Sequence, residues 1–150
     1  MKKKIITLFQ LFLPIILGSI IGFITKDYID YNTLNKPPIS PPSILFPIMW
    51  SIIYLLMGIS YYIYRKNNNH KITSIVYYLQ LFVNLLWSII FFVLKWRLIS
   101  IIWIILLDIA VILTMYLFYK KEKISTYLNI PYLIWILFAT YLTIGIYILN

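Results

Sequence analysis

The chain has 150 residues, of which 63% are hydrophobic, 19% aromatic and only 11% charged, with a formal net charge of +9. Soluble domains carry about 45–50% apolar and about 25% charged residues, so this composition points to a membrane protein and excludes intrinsic disorder. The absence of cysteine and the single histidine, His70, exclude a disulfide scaffold, a thiol nucleophile and a Cys/His zinc site, and no metal or cofactor is expected.

Charged residues punctuate the chain. Uncharged runs cover 5–25, 37–64, 72–94, 98–119 and 124–150, with one interruption at Asp108. A bilayer core of about 30 Å needs about 20 helical residues, so each run holds one span and none holds two. Stretches such as Ile134 to Leu142 are apolar on successive positions, unlike the two-residue alternation of membrane strands. The expected fold class is therefore all-α: one integral membrane domain of five transmembrane helices, with approximate spans 5–25, 43–64, 72–94, 98–119 and 124–148.

The first span follows Lys2, Lys3 and Lys4, which resembles a signal peptide at first sight. Its apolar stretch exceeds the usual length of about 7–15 residues and no small-x-small cleavage site follows, so it is read as a retained helix. Within it, Gly18 and Gly22 form a small-xxx-small pair that suits packing inside the bundle and dimer contact equally. Residues 26–42 then form the one long connection. Its run of Pro37, Pro38, Pro41 and Pro42 cannot be helix interior, so the second helix is expected from about Ser43, with Pro47 in its opening turns. A proline-rich loop of that length in so economical a chain is a candidate lid or binding loop.

The second helix carries Trp50, Tyr54, Met57 and Tyr61 on one face, and the third carries Gln80, Asn84, Trp87 and Phe91. In the fourth, Asp108 lies mid-span, where a carboxylate needs a partner inside the bundle; a structural hydrogen bond and a proton path are the two readings. The fifth presents Trp135, Phe138, Ala139 and Leu142. If the three stripes converge, they line a cavity suited to a flat apolar ligand; otherwise they are core and headgroup-belt aromatics. Gln80 and Asn84 serve either as ligand contacts or as interhelical hydrogen-bond partners. No internal repeat is evident, and Asp27, Asp30, Asp108 and Glu122 do not cluster into a catalytic constellation.

Nine of the thirteen basic residues fall at the N-terminus and in the second and fourth connections: Lys2, Lys3, Lys4, Arg65, Lys66, Lys71, Lys120, Lys121 and Lys123. The positive-inside rule puts these in the cytoplasm, with the first loop and the C-terminus outside, in what is expected to be a bacterial cell membrane. Basic residues so dispersed form no groove, and no nucleic-acid partner is expected.

Three blocks carry a family resemblance. Residues Leu34 to Pro42, continuing through Phe46-Pro47-Ile48-Met49-Trp50 to Tyr54 and Met57-Gly58, resemble the first loop and second helix of the translocator protein family, TspO/MBR, also called the peripheral benzodiazepine receptor family. Gln80-Leu81-Phe82-Val83-Asn84 with Trp87 and Phe91-Phe92 is similar to its third helix, and Pro131 to Trp135 with Phe138 to Leu142 to its fifth; Asp108 also has its counterpart. The resemblance implies a five-helix bundle in the lipid bilayer, commonly a homodimer, whose pocket for porphyrin or another hydrophobic small molecule is capped by the first loop. The implied pocket residues are Trp50, Asn84, Trp135, Phe138 and Ala139, with Tyr54, Gln80 and Trp87 beside them, under a lid containing Tyr31, Pro37, Pro41 and Pro42. In some bacterial members the tryptophans matching Trp50 and Trp135 support light-dependent breakdown of protoporphyrin, which makes these two the catalytic candidates if such chemistry occurs.

The chain departs from the pattern in its lid. Ile39 stands where the family usually carries tryptophan, and Asp30, before Tyr31, where it often does. No basic residue follows Tyr147, so the sterol pattern expected at the end of the fifth helix is missing, while look-alikes at Leu56-Tyr61-Arg65 and Leu113-Tyr116-Lys120 show how permissive that pattern is. The functions implied are tetrapyrrole binding as sensor, carrier or scavenger, then photo-oxidative porphyrin degradation, then porphyrin or sterol transport.

Overall fold

A computed structural model describes residues 1–150. It is all-helical and contains five spans of 23 to 27 residues, each apolar and long enough to cross a bilayer. Helix α1 is Lys2–Thr25, α2 Leu45–Asn67, α3 Lys71–Ser88, α4 Arg97–Tyr119, α5 Lys123–Tyr127 and α6 Ile130–Leu149. The helices form a ring in the order α1, α2, α5–α6, α4 and α3, which closes back on α1. Large apolar side chains such as Phe9, Ile20, Phe82 and Ile109 lie on the outer surface. That arrangement suits lipid as the surrounding solvent.

Two boundaries differ from the sequence expectation. The fifth span is broken into α5 and α6 because Pro131, in the first turn of α6, has no N–H to continue the ladder from Tyr127. The break is filled by Asn129, whose amide donates to Ser60 Oγ at 2.6 Å and to the Ser125 carbonyl at 2.9 Å. The third span ends in a π-helical turn, Ile89–Val93, stopped by Lys95 in the left-handed region at φ 56°. Such wide turns re-aim side chains. Here Phe91 stacks on Trp87 with ring centres 5.1 Å apart, and Phe92 meets both rings edge-on.

Lipid tails are as apolar as leucine, so helices in a bilayer are held by close packing and interhelical hydrogen bonds. At the end of the bundle carrying the N-terminus, a Cβ on Gly58 would lie 1.8 Å from the Leu11 carbonyl oxygen, so α1 and α2 meet backbone to backbone. Ser60 and Ser125 exchange hydrogen bonds to each other's carbonyls at 2.8 and 2.7 Å, locking α2 to α5. Tyr61 stacks on Tyr77 at 3.9 Å and completes a packed aromatic core on that side. Trp103 Nε1 donates to the Val83 carbonyl at 2.8 Å, joining α4 to α3. Asp108 accepts from Thr140 Oγ1 at 2.8 Å, joining α4 to α6, which is the geometry of the structural reading of that carboxylate.

Gly58→Val is expected to cost about 1–3 kcal/mol or more, because the new side chain meets backbone and cannot be accommodated by a rotamer change. Thermal unfolding in detergent should show a clear loss for Gly58→Val and little change for Gly22→Ala, where a Cβ meets nothing within 4 Å.

Candidate ligand cavity

The packed half of the bundle gives way, toward the lid, to a cavity of about 600 Å³ lined by α1, α2, the end of α3 with its π turn, α6 and the first loop. That volume lies within the range of pockets for drug-sized molecules, about 300–1,000 Å³. Its aromatic wall comes from Tyr31, Phe46, Trp50, Tyr54, Trp87, Phe91 and Phe92, and α6 contributes Ala139, Leu142, Thr143 and Ile146. The stripes of the second, third and fifth spans thus converge in part.

Six stripe residues reach the wall: Trp50, Tyr54, Trp87, Phe91, Ala139 and Leu142. Trp50 stacks on Tyr54 with ring centres 5.5 Å apart. Gln80 and Asn84 stand behind the wall, 1% and 2% exposed, in a buried chain that links three helices. Tyr54 Oη donates to Asn84 Oδ1 at 2.6 Å, Asn84 Nδ2 donates to Tyr132 Oη at 2.8 Å, and Tyr132 Oη donates to Gln80 Oε1 at 2.8 Å. Gln80 Nε2 ends the chain on Met57 Sδ at 3.4 Å. Trp135 sits behind Trp50, edge-on at 6.4 Å, and edge-on to Phe46 at 5.6 Å. With Phe138 it borders a shallow apolar groove on the outer face, beside Met49, Ile130, Pro131 and Ile134.

Four of the wall's hydroxyls are engaged by their own helices. Ser19, Thr25, Ser51 and Thr143 donate to the carbonyls of Ile15, Ile21, Pro47 and Ala139 at 2.7 to 2.9 Å. The interior is therefore chemically an aromatic slot, with the cation of Lys26 at its rim. It contains no arrangement for acid–base or nucleophilic work; it can hold a flat apolar molecule.

The lid closes the top through contacts that sequence spacing does not announce. Tyr31 is buried edge-on against Phe46 at 4.9 Å and donates to the Pro41 carbonyl at 2.8 Å. Burial pushes its phenol above the usual tyrosine range, partly offset by the Ser40 hydroxyl. Pro37 rests on Gly145, where a Cβ would come within 2.5 Å of the proline ring. Asn35 and Asn150 exchange hydrogen bonds, backbone N–H to Oδ1 at 3.1 Å and Nδ2 to backbone carbonyl at 2.8 Å, and the Tyr141 hydroxyl donates to the Pro38 carbonyl. Asp30 accepts from Arg97 Nη2 at 2.7 Å and lies 3.5 Å from Lys95 Nζ. Arg97 in turn covers the Phe91 ring at 4.2 Å, tying the lid to the π turn. Of the lid residues expected from the sequence, Tyr31 lines the cavity, whereas Pro37 and Pro41 serve as anchor points and Pro42 is exposed. At Ile39 the chain turns through φ 62° with the side chain 85% exposed, an unusual conformation for a β-branched residue.

Comparison with known proteins bears on this architecture directly. The family model described as TspO/MBR family matches residues 10–149. The chain belongs to the TspO/MBR family. It is 44% identical over 122 residues to the tryptophan-rich protein TspO of Archaeoglobus fulgidus, covering 80% of this chain and 79% of the relative. It is 33% identical to protein CrtK of Rhodobacter capsulatus over 80% of this chain and 78% of that one. The tryptophan-rich sensory protein of Cereibacter sphaeroides is 31% identical over 73% of this chain and 70% of its own. As a TspO/MBR member, the chain is a membrane protein of five apolar helices.

Arg97 and Asp30 are mostly shielded, so cutting their pair leaves a charge poorly solvated. Asp30→Asn or Arg97→Gln is expected to loosen the lid by about 1.5–3 kcal/mol, the range for hydrogen bonds to charged groups. Amide exchange over residues 29–42 should accelerate accordingly while the spans stay protected.

Proposed function

We propose that this protein binds tetrapyrroles such as protoporphyrin IX, and similar flat apolar molecules, as a sensor, carrier or scavenger in the membrane. The observation that carries this reading is the cavity of about 600 Å³, walled by aromatic rings and covered by a fastened loop. Aromatic faces stack on a conjugated macrocycle, and a largely apolar slot, four of whose hydroxyls are already occupied, favours an apolar ring over a polar metabolite. Lys26 at the rim is the one cation on the wall, suited to a peripheral carboxylate. Four basic residues on the lid side against nine on the other support the orientation with lid and C-terminus outside. A homodimer is the expected assembly.

Porphyrin photodegradation is the second reading, favoured by the Trp50 and Trp135 rings 6.4 Å apart, one on the wall and one directly behind it. A photoexcited porphyrin passes energy to dioxygen, and an indole pair so placed captures the reactive oxygen next to the ring. Transport has less support, since Asp108 is engaged by Thr140 and lies outside the cavity wall.

Titration of purified protein with protoporphyrin IX should show saturable quenching of tryptophan fluorescence. Trp50→Ala should weaken it about tenfold or more, the loss of roughly 1.4 kcal/mol of stacking. Unchanged affinity in both Trp50→Ala and Trp87→Ala would remove the cavity from the account. Under illumination in air, the same samples should form a new absorbing product with wild type and not with Trp135→Phe if the second reading holds; bleaching equal to that of free porphyrin would exclude it.

A further inference from the structure

The cavity is not sealed on its membrane side. At Gly58 the backbones of α1 and α2 touch, and at Gly18 a Cβ would still lie 2.4 Å from the Tyr54 ring. One turn nearer the lid, at Gly22, a Cβ would meet nothing within 4 Å. The two helices therefore diverge toward the lid. Small residues line the gap: Ser19 and Gly22 on α1 and Ser51 on α2 are accessible and belong to the wall of a cavity that is partly open. Both serine hydroxyls donate to their own helices at 2.7 Å, so the gap presents an apolar edge. All three residues lie within membrane-spanning segments, so what the gap faces is lipid.

The lid offers the opposite picture. It is fastened to α6 through Pro37 on Gly145 and through the Asn35–Asn150 exchange, and to the start of α4 through Asp30 and Arg97. Opening it means breaking an ion pair and several hydrogen bonds together, while the gap between α1 and α2 already communicates with the cavity. A strongly apolar solute also concentrates in the bilayer and not in water.

We infer that the gap between α1 and α2 is a lateral portal, through which apolar molecules dissolved in the bilayer reach and leave the cavity while the lid stays fastened. The inference rests on the proposed function only for the identity of the traveller; the route follows from the helix divergence. Its residues sit on opposite walls at Gly22 and Ser51, and the lid anchors play no part in it.

The chain contains no cysteine, so a single thiol reports access cleanly. Ala139, 5% exposed on the cavity wall, is replaced by cysteine in otherwise complete protein reconstituted in lipid nanodiscs. An N-alkylmaleimide with a long hydrocarbon chain, delivered in the lipid, is compared with a sulfonated maleimide delivered in water, and labelling is followed by mass spectrometry. The lipid-borne reagent should label Ala139→Cys and the sulfonated one should not. Adding Gly22→Phe, which places a ring in open space, should slow labelling about tenfold, in the way obstructed routes act on rates. Ser51→Phe gives the same plug from the other wall, and Asn150→Ala should leave the rate as it was. Labelling by neither reagent, equal labelling by both, or a rate untouched by both plugs would overturn the portal. No porphyrin is used, so a failed titration counts against the proposed ligand and a failed labelling pattern counts against the route.

Discussion

The bundle depends on one buried chain of hydrogen bonds, from Tyr54 through Asn84 and Tyr132 to Gln80. In water a bundle is drawn together by its apolar faces, but in lipid that drive is absent and polar contacts decide which helix faces meet. Each bond is worth only about 0.6–2 kcal/mol, yet together they fix the spacing of α2, α3 and α6 at the level where packing gives way to cavity. Below this level aromatic rings interlock, Tyr61 on Tyr77 and Tyr64 on Phe118. Above it, Trp50, Trp87 and Ala139 stand apart because their helices are already held.

This arrangement divides labour between rigid and open surfaces. Tyr54 belongs to both, with its ring on the cavity wall and its hydroxyl at the head of the chain. The lid is a second rigid body, bolted by contacts with α6 and Arg97. Against these fixed parts, the divergence of α1 from α2 stands out, since α1 buries only Pro14 and Thr25 along its length. A helix that buries so few of its residues is a natural side for a cavity that exchanges with lipid.

Much of this was legible in the sequence. Charges at the ends of apolar runs placed all five spans, because a bilayer tolerates few ions at depth. Helical periodicity found the faces bearing Trp50, Tyr54, Trp87 and Ala139, and family resemblance joined them into a pocket. Periodicity does not say which neighbour a face meets. Asn84 therefore read equally as ligand contact or helix partner until Tyr54 and Tyr132 were seen to occupy both ends of its amide. Trp135 lies on the same stripe as Ala139 yet borders the outer groove, because a stripe several residues wide spans both the wall and its back. The ion pair of Asp30 with Arg97 joins residues 67 apart and leaves no local trace. The π turn and the break at Asn129 likewise depend on tertiary partners, apart from the hint of Pro131.

If the buried chain sets the cavity, its members must act as a unit, since Tyr54 and Tyr132 grip the same Asn84 side chain. The most direct measurement is a double-mutant cycle of Tyr54→Phe and Tyr132→Phe, read as unfolding free energy in bilayer-like micelles. Losses that fall short of additivity by about 0.5 kcal/mol or more are predicted, as for residues sharing one network. Strictly additive losses, or none, would contradict the account.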